Sequence, residues 1–195
     1  MPESKPRPYR IGATLRTTDT ALLRGFAALH ASGCIDHIQV RVIPGGTFSR
    51  DLAAIAASGV PAAIHAPHHG HGVNPCAPAA YDDRPLAEIK AHIELAMNQT
   101  LEAADTLGAE TIIIHAGWYE PGGRSAALDE FSRFLDRHFD PRLTLENLPA
   151  VFRGRPMLGT TAEELAALAG GRLQGFCLDF AHLYCAANYL KIPYP

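Results

Sequence analysis

The chain has 195 residues, with 17 Lys and Arg against 20 Asp and Glu, a net charge of −3 and 47% hydrophobic residues. That composition excludes a disordered or fibrous chain. The slight acidity gives the molecule as a whole no electrostatic footprint for nucleic acid or an anionic membrane. No apolar run approaches the roughly 20 residues that span a bilayer, and residues 1–10 lack the apolar centre of a signal peptide, so the expected setting is the cytoplasm. The four cysteines, Cys34, Cys76, Cys177 and Cys185, show no CxxC spacing; they are expected as reduced thiols rather than as a zinc site.

Short apolar runs alternate with helical patterns along the chain. Residues 10–16 read as a first strand, 20–31 as a helix ending at Gly33, and 37–43 as a β-branched strand closed by Pro44-Gly45-Gly46. A short helix over 49–58 stops at Gly59, and 61–65 is the third strand. The clearest helix spans 84–107. Leu86, Ile89, Ile93, Ala96, Thr100, Ala103 and Leu107 share one face at spacings of three and four. Asp82 and Asp83 are placed to cap its start, Pro85 suits its first turn, and Gly108 suits a left-handed end.

The fourth strand, 111–115, is apolar on both faces, as a buried parallel strand is. A helix over 125–138, a strand over 142–148, a helix over 161–169 and a sixth strand over 175–179 follow. Alternating strands and helices imply right-handed crossovers and a parallel sheet. No GxGxxG follows the first strand, which removes the main signature of a dinucleotide fold. The expected fold is therefore α/β, a (β/α) barrel formed as one domain over residues 1–195. It is C-terminally short, with about six strand–helix units and strands seven and eight absent, against about 250 residues for a closed eightfold barrel. Such a sheet has two open edges, which suit pairing with a second copy of the chain.

Four successive strands end in metal-ligand residue types: His65, His115, Glu146 and Asp179. Strand periodicity puts them on one face, at the carboxyl end where barrel enzymes keep their chemistry. Ile64, Ile112, Ile114, Leu145, Phe176 and Leu178 fall on the other. Glu146 and Asp179 on neighbouring strands repel unless a cation lies between them. Mixed imidazole and carboxylate donors suit zinc first, with manganese and iron as alternatives. His182, three residues after Asp179, extends the set.

These residues resemble the endonuclease IV branch of the xylose isomerase-like TIM barrels. His65-Ala66-Pro67-His68 resembles the family's H-A-P-Y, with His where Tyr is usual. His115-Ala116-Gly117 resembles its H-P-G, Leu145-Glu146-Asn147 its I-E-N, and Cys177-Leu178-Asp179-Phe180-Ala181-His182 its C-I-D-x-x-H. The resemblance implies a first metal on His65, His115 and Glu146, a second shared by Glu146 and Asp179, and His182 on a third. It implies hydrolysis of a phosphodiester at abasic sites in DNA, with Glu146 as the catalytic carboxylate. The first loop, Thr14-Leu15-Arg16-Thr17-Thr18-Asp19, departs from the family's small Gly-containing DNA-contacting loop.

Around these ligands, His68, Trp118, Arg153 and Arg155 are candidate substrate-binding residues. The arginines have the fork geometry for phosphate, the tryptophan can stack on a sugar or base, and His68 belongs to a run of four histidines, His65, His68, His69 and His71. An alternative is a metal-dependent sugar isomerase or epimerase of the same superfamily, which the acidic balance and altered first loop favour. A second alternative is a metal-binding remnant without turnover.

Overall fold

The computed structural model describes residues 8–80, 83–173 and 175–193. Its centre is a six-stranded, wholly parallel sheet. The first five strands are β1 (Gly12–Arg16), β2 (His37–Arg41), β3 (Ala62–His65), β4 (Ile112–Ile114) and β5 (Leu143–Glu146). After β5 the chain makes a separate antiparallel hairpin of β6 (Val151–Phe152) and β7 (Arg155–Pro156). It then returns as β8 (Gly175–Cys177), which pairs with β5, so the sheet order is β1-β2-β3-β4-β5-β8. Helices α1 (Leu23–Ala31), α2 (Phe48–Ala57), α3 (Leu86–Leu107), α4 (Arg124–Arg137) and α5 (Ala162–Ala169) form the crossovers. This is the strand–helix alternation of a TIM-type barrel through six units, and among the described residues β1 and β8 remain its two edges.

The core lies between sheet and helices. Ile38, Val40, Ile64, Ile112, Ile114 and Leu145 are buried on the outer face of the sheet, against Leu52, Ile55, Ile89, Ile93, Phe131 and Phe134. Burying each such side chain contributes about 1.5–3 kcal/mol. The inner face differs. In β2, Ile38 and Val40 point to the helices, whereas His37, Gln39 and Arg41 are half-buried on the side of the barrel interior. That alternation in His37-Ile38-Gln39-Val40-Arg41 is the period-two pattern of a strand with two unlike faces.

Several local readings are corrected. Helix α3 begins at Leu86, with Pro85 in the capping position and no side-chain cap. A proline there needs no donor, and its extended ψ of 133° starts the helix without help from Asp83; Asp82 lies outside the described residues. Gly108 does end α3 in a left-handed conformation, φ 60°. The 20–31 segment divides into a 3₁₀ turn at Thr20–Leu22 and then α1. Two features add to the sequence reading: the β6–β7 hairpin, and a helix α6 (Phe180–Leu190) after β8. Phe176 is 51% exposed at the β8 edge, and Leu178, expected on the face away from the ligands, lines the cavity and is 56% exposed.

Candidate metal centre

The carboxyl ends of the strands open into a cavity of about 780 Å³. His65 ends β3, Glu146 ends β5, His115 follows β4 by one residue, and Asp179 follows β8 by two. The three side chains His65, His115 and Glu146 are buried, at 7%, 7% and 5% exposure. Both histidines approach the same carboxylate oxygen: His65 Nε2 lies 3.3 Å and His115 Nε2 3.2 Å from Glu146 Oε2. His182 Nδ1 lies 3.3 Å from the other oxygen, Oε1.

The surrounding hydrogen bonds set which nitrogens are available. His65 Nδ1 lies 2.8 Å from the Ala66 carbonyl, which fixes Nδ1 as donor and leaves the Nε2 lone pair facing Glu146. His182 Nδ1 likewise donates to the Asn147 carbonyl at 2.9 Å, which leaves its Nε2 as the free acceptor. Metal-binding histidines are oriented in this way, through the nitrogen that does not bind. His115 has neither ring nitrogen in an aligned hydrogen bond with a described residue. Burial pushes its pKa down, against the pull of Glu146, so it is held as a neutral ligand.

Burial acts to raise the Glu146 pKa, but the imidazoles around it, His115 first and then His182, outweigh it and hold the carboxylate well below its usual range. The result is an ionised buried carboxylate among three imidazoles. Two groups of potential ligands follow, His65–His115–Glu146 and Glu146–Asp179–His182, each with its donor atoms within 4.8 Å of one another. Two imidazoles and one carboxylate, buried and convergent, fit a divalent ion of the zinc type. The Cys177 thiol also lines the cavity. Burial, Glu146 and Asp179 push its pKa up to about 11, so it stays protonated in the metal-free chain.

Asp179 has a second role: as N-cap of α6 its Oδ1 accepts the His182 backbone N–H at 2.8 Å. Asn147 belongs to a quoted motif but receives no task from sequence reasoning. Its side chain accepts the Asp179 N–H at 2.6 Å and donates to the Asp179 carbonyl at 3.0 Å, while its own carbonyl holds His182. It is 2% exposed and ties β5 to both outer ligands. Asn74 does the same for the rim, accepting the Trp118 N–H at 2.9 Å and donating to the Trp118 carbonyl at 2.9 Å. A Cβ at Gly117, φ 108°, would strike the Asn74 side-chain oxygen, which is why His115-Ala116 is followed by glycine.

The four candidate substrate residues all line the cavity. Trp118 is 4% exposed, packed with Leu148 and Met157, and Arg155 lies over its ring at 3.9 Å while pairing with Glu120 at 3.3 Å. Arg153, exposed at the hairpin turn with φ 51°, sits over Phe152 at 5.3 Å. His68 precedes the 3₁₀ turn His69–His71, with its Nδ1 3.2 Å from the Gly70 nitrogen and its Nε2 2.6 Å from Arg41 Nη2. His68, His69 and His115 form a third group of possible ligands.

Neither a protein-family model nor a curated protein matches the sequence. Solved structures do match the fold. Endonuclease IV from Thermus thermophilus is similar with a TM-score of 0.59 at 22% identity, over 94% of this chain and 69% of that one. A second Thermus thermophilus protein, from crystals soaked in zinc chloride, gives 0.57 at 20% identity over 90% and 68%. A putative xylose isomerase from Rhodospirillum rubrum gives 0.61 at 12% identity over 89% and 66%. Identities this low establish fold alone, and the fold is that of the endonuclease IV and xylose isomerase-like TIM barrels.

Proposed function

We propose that this chain is a metal-dependent hydrolase of the endonuclease IV type, cleaving a phosphodiester at abasic sites in DNA. The observation that carries the proposal is the approach of His65 and His115, from two different strands, to one oxygen of a buried ionised Glu146. In this reading His65, His115 and Glu146 hold a divalent ion, zinc first, and Asp179 and His182 extend the site from β8 and α6. Such an ion, when bound, lowers the pKa of water toward about 7 and polarises a phosphoryl oxygen. Glu146, whose Oε2 faces both histidines, would orient the attacking water with its other oxygen. Arg153 and Arg155 on the hairpin, with His68 and Trp118, form the wall along which the substrate lies. The edges of β1 and β8 offer pairing to a second copy.

One feature favours a sugar isomerase or epimerase instead: Glu146 and Asp179, with His182, form a two-carboxylate group suited to moving a proton beside a polarised hydroxy-carbonyl unit. A duplex carrying one abasic site separates the readings. The zinc-loaded chain is expected to nick it, and His115→Ala to reduce nicking by at least roughly 100-fold, the size of effect seen when a metal site or its supporting groups are lost. Interconversion of ketose and aldose without nicking, read by NMR, overturns the hydrolase. Metal uptake with neither reaction leaves a metal-binding remnant.

A further inference from the structure

Arg41 receives no role from sequence reasoning, and nothing in the metal chemistry above uses it. It is the last residue of β2, on the inner face, and pairs in register with His65 across β2 and β3. A guanidinium therefore stands one strand away from a ligand of the proposed ion. It is half-buried and lines the same cavity. Among the described residues no carboxylate lies within ion-pair distance of it; its β1 register partner Arg16, by contrast, is neutralised by Asp19 at 2.8 Å. The Arg41 Nε is buried with no described hydrogen-bond partner, and Nη2 meets only the neutral His68 ring. Thr14 and Gln39, hydrogen-bonded to each other at 3.3 Å, continue a polar wall below it.

A half-buried guanidinium without a counter-charge is costly, and more so beside a divalent cation. Both costs fall when an anion bridges the two. Arginine is suited to this, because its charge is permanent and its fork matches two phosphate oxygens. His68 holds the fork in place. A neutral imidazole has one acceptor nitrogen, so His68 accepts either from Arg41 Nη2, at 2.6 Å, or from the Gly70 N–H, at 3.2 Å; with Nε2 as the acceptor it holds the guanidinium.

We propose that Arg41, positioned by His68, binds the phosphoryl group of the substrate on the β2 side of the cavity. This deepens the hydrolase reading and rests on it for the identity of the substrate, but the anion site itself is a property of Arg41. The test uses calorimetric titration of inorganic phosphate into the metal-free and the zinc-loaded chain. Ribose 5-phosphate and a duplex with one abasic site serve as further arms that separate a sugar phosphate from a phosphodiester. Arg41→Gln is expected to weaken phosphate binding at least tenfold in both forms, with zinc content unchanged and melting temperature no lower, and Arg41→Lys to recover part of the loss. Wild-type phosphate affinity in Arg41→Gln, or no phosphate binding by the wild-type chain, overturns the proposal. Zinc uptake or nicking that fails while the Arg41 effect persists in the metal-free form counts against the hydrolase reading alone.

Discussion

Glu146→Gln is expected to lower the affinity for zinc by at least roughly 100-fold while leaving the chain folded. Removal of groups that merely support a metal ligand costs 10–100-fold, and Glu146 is the one carboxylate that faces both His65 and His115 among the described residues. Glutamine keeps the shape and so the packing, but supplies a neutral oxygen in place of the charge that offsets the ion. A second effect follows in the metal-free chain. The His182 pKa is raised, first by its interaction with Glu146 and then, against burial, by the Asn147 carbonyl and the nearby carboxylates. Glu146→Gln therefore lowers it. Competition with a chromophoric chelator measures the first effect and an NMR titration of the His182 ring the second. Unchanged zinc affinity contradicts the assignment of Glu146.

The metal-free chain is also expected to lose stability on mild acidification. Burial pushes the pKa values of His68 to about 2 and His69 to about 4, neighbouring imidazoles adding to both, and burial lowers that of His115 as well. Below about 6.5 the unfolded chain takes up protons at these histidines and the folded chain does not. Stability therefore falls as pH falls through this range, by up to about 1.4 kcal/mol per pH unit for each such group. His69 is more open than His68 and contributes less. His182 acts in the opposite sense: its raised pKa contributes stability below about 6.5 that is lost as pH rises through its folded value. His37, His71 and His138, whose pKa values burial also lowers, act in the same sense as the first three, so together they outweigh His182 and net stability falls between pH 6.5 and 5.5. The Glu146 contribution, from a depressed pKa, is present above its unfolded value of 4.5 and declines only at lower pH. Denaturant titrations with chelator at the two pH values check this; equal stabilities contradict it. Bound metal makes the fall steeper, since protons compete for the same imidazoles.

The sequence showed most where periodicity and chemistry coincide. Ile112-Ile113-Ile114 reads as a strand buried on both faces, and the residue types at the ends of four strands mark one face of the sheet. Arg41 left a signal too, since His37-Ile38-Gln39-Val40-Arg41 alternates, but the pattern reads equally as a solvated face until β3 and the His68 loop are seen beside it. Asn147 left none: a side chain that binds the backbone of Asp179, 32 residues away, has no periodic trace. Phe176 and Leu178 mark a different limit. Alternation says which face a side chain takes only while the strand lasts: β8 ends at Cys177, and Leu178 beyond it lines the cavity, while Phe176 is 51% exposed at the sheet edge.

Zinc K-edge X-ray absorption on the chain loaded with one equivalent of zinc tests the central assignment most directly. The arrangement of His65, His115 and Glu146 predicts stoichiometric uptake, a nitrogen and oxygen shell at about 2.0–2.1 Å with imidazole scattering, and no sulfur. A sulfur shell near about 2.3 Å, implicating Cys177 or Cys76, or a chain that takes up no zinc at one equivalent, contradicts it.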